Sequence, residues 1–154
     1  MHIYLIRHAH ADDGVDDALR PLSKKGLRQI RDMGRFLRES GAMDANVFWH
    51  SPLIRAAETA NRLAKRLKSS VKLVQVGGLR PQDDPDVIAR KLGDLHAPVA
   101  VIGHDPHLSA LASLLVGVEA EPPRFVLKKC GVIRLDRSSR GWSVRWQVSP
   151  ELLK

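Results

Sequence analysis

The stretch Ile3-Tyr4-Leu5-Ile6-Arg7-His8 decides how the rest of the chain is read. Four consecutive apolar residues with bulky or β-branched side chains are the pattern of a strand buried on both faces. The run stops at an arginine and a histidine, which such a strand would deliver to the rim of a sheet. Open α/β sheets bind their ligands at that rim. Two more cationic positions, Arg55 and His104, also follow strand-like runs. Arg7, His8, Arg55 and His104 are therefore expected to converge as four groups suited to one phosphate.

Outward from this stretch, strand and helix patterns alternate. Residues 11–20 are polar, with Asp12, Asp13, Gly14, Asp16 and Asp17, and read as a surface loop near the site. Ser23 is placed to cap a helix carrying Leu27, Ile30, Met33, Phe36 and Leu37 at helical spacing up to Ser40-Gly41. Its other face carries Lys24, Lys25, Arg28, Arg31, Arg35 and Arg38 and reads as a solvated surface that is also suited to an acidic partner. Residues 46–50 form a second strand, and a helix over 53–68 has Arg55 in its first turn. A cation there opposes the helix dipole, whereas an anion lying between it and the free N–H groups would reverse that sign.

A third strand over 71–76 and a short helix over 86–95 precede Val99-Ala100-Val101-Ile102, the most strand-like run of all. Gly103-His104 ends it, and Asp105-Pro106-His107 opens a further helix. His104 thus sits at a strand-to-helix junction like that of His8. Beyond Pro122-Pro123, residues 124–128, 131–136 and 142–148 lack helices between them and read as antiparallel strands. The expected fold is a three-layer α/β/α domain, residues 1–154 undivided, with a mainly parallel central sheet and antiparallel C-terminal edge strands.

Composition narrows the function. With 44% hydrophobic and 27% charged residues among 154, the chain is ordinary for a globular protein, which excludes disorder. The longest apolar stretch, 108–118, is interrupted by Ser109, Ser113 and Gly117 and is too short for a bilayer, and no signal peptide precedes it. A cytoplasmic location with no membrane partner is expected. Cys130 is single, cannot form an internal disulfide and reads as a semi-buried strand residue. The 25 Lys and Arg against 17 Asp and Glu give a formal charge of +8, a field that favours anionic partners. Nucleic acid is disfavoured, because the basic residues are dispersed and only 5% of residues are aromatic. No His-Glu-x-x-His or paired-cysteine pattern supports a metal site, and two arginines would repel a cation. His10 lies close enough to the rim for an accessory role, whereas His2, His50, His96 and His107 have no comparable company.

Leu5-Ile6-Arg7-His8-Ala9 resembles the Arg-His-Gly signature of the histidine phosphatase superfamily, the phosphoglycerate mutase-like fold. Pro21-Leu22-Ser23-Lys24-Lys25-Gly26 is similar to its Pro-Leu-Thr/Ser-x-x-Gly helix start. The run from Ser51-Pro52 through Arg55-Ala56 to Thr59-Ala60 resembles its Ser-Pro-x-x-Arg-Ala-x-x-Thr-Ala block, and Gly103-His104-Asp105-Pro106 its second-histidine motif. The four blocks occur in the family's order. The resemblance implies that His8 takes the phosphoryl group onto a ring nitrogen before water removes it. Arg7, Arg55 and His104 would bind the phosphoryl oxygens, Asp105 would be accessory, and no metal or other cofactor would be required. A neutral imidazole is available near pH 7 because its ordinary pKa is about 6.5.

Ala9 departs from the family's glycine, a change that a positive-φ backbone would penalise. The acidic proton donor of the larger mutases and ester phosphatases also lacks a counterpart, since residues 77–86 contain no Glu and only Asp83, Asp84 and Asp86. The imidazole of phosphohistidine needs a proton donor less than an alcohol does. Together with the short chain and the Arg-His-Ala-x-Ala opening, this resembles the SixA-type protein phosphohistidine phosphatases. Phosphohistidine on a protein is thus the expected substrate. The alternatives are a phosphomonoesterase acting on a sugar phosphate or nucleotide and a non-catalytic phosphate-binding module.

Overall fold

Neighbouring residues of the first strand face different halves of the molecule. In the computed structural model, which describes residues 1–154, β1 (His2–Arg7) sends Ile3 and Leu5 into one apolar layer and Tyr4 and Ile6 into another. All four side chains are fully buried. Each such aliphatic burial stabilises the fold by ~1.5–3 kcal/mol. This explains an uninterrupted apolar run where a one-faced sheet would alternate.

The chain continues through α1 (Lys24–Ser40), β2 (Val47–His50), α2 (Ile54–Leu67), β3 (Lys72–Gln75), α3 (Pro85–Gly93), β4 (Val99–Gly103), α4 (His107–Val116), β5 (Val132–Ser138) and β6 (Gly141–Val148). One six-stranded sheet has the order β3-β2-β4-β1-β5-β6. The pairs β2–β3, β2–β4 and β1–β4 are parallel, and β1–β5 and β5–β6 are antiparallel. Helices α1 and α2 cover the Tyr4 face through Ile30, Met33, Leu37, Ala60 and Leu63. Helices α3 and α4 cover the Ile3 face through Ile88, Leu92, Leu108 and Leu111. The three-layer α/β/α arrangement expected from the alternating patterns is what forms. No helix is long and apolar enough to cross a membrane.

Local signals set the helix ends. The Ser23 hydroxyl accepts the Gly26 N–H at 3.1 Å to start α1, and Gly41 closes it in the left-handed region. Pro85 opens α3, capped by the Asp84 carboxylate. In contrast, α2 begins at Leu53 without a side-chain cap.

Two C-terminal expectations need correction. Residues 124–128 form no strand; the Leu127 carbonyl accepts from Arg7 and the Val126 carbonyl from Gln147, so side chains rather than a ladder occupy these acceptors. Cys130 is wholly buried and precedes β5 in a left-handed turn, with φ 59°. Its N–H lies within hydrogen-bonding distance of the carbonyls of both Arg7 and His8, at 3.0 and 3.1 Å, which accounts for the tight turn.

Candidate active site

Three strand ends meet at one edge of the sheet. The register pairs Arg7 with Gly103, and the His8 N–H donates to the Gly103 carbonyl at 2.9 Å, so His8 and His104 leave adjacent strands side by side. Their ring centroids are 5.1 Å apart. The Ser51 N–H donates to the Ile102 carbonyl at 3.2 Å and brings the end of β2 to the same edge. Arg55, the second residue of α2, follows directly.

His8 is 6% exposed, and its Nδ1 lies 2.7 Å from the Ala9 carbonyl oxygen. A carbonyl only accepts, so the proton resides on Nδ1 and Nε2 keeps its lone pair. Burial, reinforced by the Arg55 and Arg7 guanidiniums, pushes the His8 pKa down to about 4 and outweighs the opposing effect of the Ala9 hydrogen bond. His8 is therefore neutral at physiological pH, and the Nε2 lone pair is available without a base. The Ala9 N–H donates to Thr59 Oγ1 at 3.0 Å, and that hydroxyl donates to the Arg55 carbonyl at 2.7 Å. One threonine thus ties the His8 backbone to the first turn of α2. Ala9 itself has no positive φ, so its methyl group fits a fully buried position without backbone strain.

His104 is 1% exposed, and its Nε2 lies 2.7 Å from Ser51 Oγ. Ser51 Oγ also accepts the Leu53 N–H at 3.1 Å, and Nε2 is the one acceptor bonded to its own proton. This arrangement leaves the His104 proton on Nδ1. Burial first, then the neighbouring His8 and Arg55, lowers the His104 pKa to about 3. The neutral ring is consequently a hydrogen-bond donor through Nδ1.

The two arginines are anchored at their tips. Arg55 is 5% exposed and donates from Nη1 to the Asp17 carbonyl at 2.8 Å and from Nη2 to Asp17 Oδ2 at 3.2 Å. This contact offsets the unfavourable position of a cation at a helix start. Arg7 donates from Nη1 to the Leu127 carbonyl at 3.0 Å, with Asp105 Oδ2 at 3.9 Å from the same nitrogen. Six buried side-chain polar atoms lack a protein partner, and three of them are Arg7 Nε, Arg55 Nε and His104 Nδ1. Buried polar groups are otherwise nearly always paired, so this concentration of unpaired donors around His8 is suited to an oxyanion.

The structure thus brings Arg7, His8, Arg55 and His104 together. Asp105 stands behind Arg7 and accepts the Ser109 N–H and hydroxyl. His10 does not join them; its Nδ1 lies 2.6 Å from Ser23 Oγ at the start of α1, and no hydrogen bond links it to His8 or His104. Asp17, Ser51 and Thr59 were not singled out from sequence. Ser51 and Thr59 nevertheless lie within the block around Arg55, where two hydroxyl residues flank an arginine at a helix start. Asp17 gave no signal among the other acids of its loop.

Arg20 first, and Arg55 with it, holds the Asp17 carboxyl below the usual carboxylate range. Asp83, Asp84 and Asp86 are engaged elsewhere: Asp83 accepts the Arg80 N–H, Asp84 caps α3 and Asp86 pairs with Arg90.

Among solved structures, the chain is similar to the protein histidine phosphatase SixA complexed with tungstate, with 24% identity, a TM-score of 0.87 and 100% of both chains covered. It is also similar to an alpha-ribazole phosphatase of Shigella flexneri, at 17% identity and a TM-score of 0.78, with 97% of each chain covered. A phosphoserine phosphatase of Entamoeba histolytica in complex with phosphoserine aligns at 17% identity and a TM-score of 0.75 over 99% of each chain. At these identities the likeness is one of fold. No curated protein matches the sequence. Residues 3–83 match the family model of the histidine phosphatase superfamily, branch 1, a span that takes in both the strand ending at Arg7 and the helix carrying Arg55. The match extends over more than half of the 154 residues, and the chain belongs to that superfamily.

Proposed function

We propose that this protein is a metal-independent phosphatase that removes the phosphoryl group from phosphohistidine on a protein through a covalent intermediate on His8. The observation that carries the reading is the set of unpaired buried donors, Arg7 Nε, Arg55 Nε and His104 Nδ1, around a neutral His8 whose Nε2 is free. Nε2 attacks phosphorus, and the bond from phosphorus to the substrate nitrogen breaks as the new one forms. The ring of His8 then carries positive charge, which the Ala9 carbonyl stabilises through Nδ1–H. Arginine forks and the His104 donor match the charge spread over the equatorial oxygens. Water then attacks the phosphorus, releasing inorganic phosphate and restoring neutral His8. The Leu127, Asp17 and Ser51 anchors hold these donors in place before substrate arrives, which is how such sites lower barriers.

The leaving group is inferred from acid chemistry. The carboxylate that touches Arg55 is ionised, and the acids of residues 83–86 serve their own loop and helix. An alkoxide would leave poorly under these conditions, whereas a phosphohistidine ring already protonated on its other nitrogen leaves as neutral imidazole with no proton to be supplied. A cytoplasmic setting belongs to the same proposal and suits the buried thiol of Cys130, whose pKa burial pushes up to about 12.

A second reading, a phosphomonoesterase acting on a small metabolite, is favoured by the fold shared with the alpha-ribazole and phosphoserine phosphatases. Turnover of a phosphohistidine protein compared with a panel of phosphate esters separates the two; efficient ester hydrolysis with phosphohistidine left intact sinks the first. Quenching in alkaline denaturant after brief exposure to labelled substrate, conditions under which a phosphorus–nitrogen bond survives, is expected to trap label on wild-type protein and none on His8→Ala. Absence of trapped label together with absence of turnover would instead indicate a binding module.

A further inference from the structure

A groove of about 840 Å³ opens from the catalytic edge at Arg7, passes His10 and runs along the exposed face of α1 to the C-terminus. Its walls are Lys25, Arg28 and Arg31 of α1, Lys128 and Lys129 before β5, and Lys154. Only Asp32 and Glu151 oppose them, and no hydrophobic residue lines it. The Arg31 cation pairs with Asp32, but Lys25, Arg28, Lys128, Lys129 and Lys154 enter no ion pair. Some surface cations outside it are neutralised by an acidic neighbour, as in Arg90–Asp86 and Arg62–Glu58, whereas these five are gathered along one groove. The cations here also crowd one another: the Lys129 ammonium is lowered from its usual range by burial and by Arg7, Arg20 and Lys25. A second basic depression, lined by Arg31, Arg35, Arg38 and Arg66 with Glu39, shares Arg31 and extends the field further along α1.

Uncompensated like charges held together cost stability, and the cost is recovered when an anionic partner binds. The size of the groove suits a small ligand, but small-ligand sites are lined predominantly by hydrophobic and aromatic side chains, and this one is lined by none. Single-stranded nucleic acid would likewise lack stacking surfaces. The groove shares Arg7 with the catalytic edge, so a segment adjoining a phosphoryl group bound there has a path into it.

We infer that the groove along α1 is a docking surface for an acidic segment of the phosphorylated protein, adjoining its phosphoryl group. This deepens the reading of the catalytic edge as a phosphoprotein site, but it does not depend on which residue bears the phosphate. A binding test on His8→Ala protein therefore separates the two. Labelled phosphoserine peptides flanked by glutamates or by glutamines serve as stable probes, read by fluorescence anisotropy. The glutamate peptide is expected to bind about tenfold more tightly at low salt, and the advantage to shrink as salt rises. Arg28→Glu combined with Arg31→Glu is expected to erase the advantage, as is Lys128→Glu combined with Lys154→Glu. Lys91→Glu combined with Arg140→Glu, the same charge change on residues that line neither depression, leaves the advantage intact. Equal binding of the two peptides overturns the inference. So does an equal loss with Lys91→Glu combined with Arg140→Glu, which would reduce the effect to net charge, or tighter binding of a 5′-phosphorylated oligonucleotide. Failure of the wild-type protein to hydrolyse phosphohistidine would overturn the proposed leaving group and leave the groove standing.

Discussion

Asp17 Oδ2 lies 3.2 Å from Nη2 of Arg55, and the backbone carbonyl of the same aspartate lies 2.8 Å from Nη1. The guanidinium of the proposed phosphate site is therefore held by a neutral carbonyl and, separately, by a carboxylate that would compete for it with an incoming oxyanion. The carboxylate is well exposed, so its direct pairing contributes only ~1 kcal/mol or less. Asp17→Asn keeps the backbone anchor and removes the negative charge. Inorganic phosphate is expected to inhibit this variant severalfold more strongly, with phosphohistidine turnover preserved. A large loss of turnover would instead assign a proton-transfer role to Asp17.

The pH response should follow from the two buried imidazoles. In the fold His8 and His104 take up protons only near pH 4 and 3, whereas the unfolded chain does so near 6.5. Their contribution to stability is thus complete above 6.5 and is lost as pH falls toward 4 and 3. Denaturation midpoints are expected to drop across that window, and to drop less in a His8→Ala/His104→Ala double variant. Nitrogen chemical shifts should report His8 as the neutral Nδ1–H tautomer at pH 5.5. A ring already half-protonated at about pH 6.5, the ordinary value, contradicts the assignment.

Ser51 offers a test of orientation without touching the nucleophile. Ser51→Ala leaves both the Leu53 N–H and His104 Nε2 without their partner. A buried unsatisfied group costs ~1–3 kcal/mol, and the freed imidazole is expected to lose its fixed donor nitrogen. The variant should lower kcat by about tenfold, an amount equivalent to ~1.4 kcal/mol, with a smaller change in KM. A shift in the acid limb of the pH profile would distinguish this role from simple loss of stability.

Gly26 reverses a general rule. Replacing a helical glycine by alanine ordinarily gains ~0.5–1 kcal/mol. At Gly26 the added methyl group would overlap the carbonyl oxygen of His10, which is backbone and has no rotamer to escape into. Gly26→Ala is expected to destabilise by ~1–3 kcal/mol, the usual cost of overpacking. Thermal denaturation of this variant beside Gly41→Ala checks it, because Gly41 has open space but a positive φ of 67°.

What was legible in the sequence follows a physical divide. Ile3 to Ile6 announced a strand buried on both faces because every side chain obeyed one requirement, and Ser23 and Gly41 marked the limits of α1 because caps act locally. Arg7, His8, Arg55 and His104 were recognisable because each sits where an element ends. Their partners were not. The Leu127 and Ala9 carbonyls are backbone, which no sequence pattern displays, and Asp17 meets Arg55 across 38 positions through a loop whose path only the fold determines. The same holds for residues 124–128, which the lack of a helix before the next strand-like segment suggested as a strand. Arg7 and Gln147 claim carbonyls there that a neighbouring strand would need.

The pairing of Arg7 with Gly103 has a consequence for how such a site can change. The separation of the two histidines is set by the main-chain ladder between β1 and β4, which no side chain can lengthen or shorten. The rim is built differently, from loops and helix faces such as residues 11–20 and the cationic side of α1. Mutation can reshape that rim freely while the reacting pair keeps its spacing, so chemistry and partner choice are separable traits of one chain.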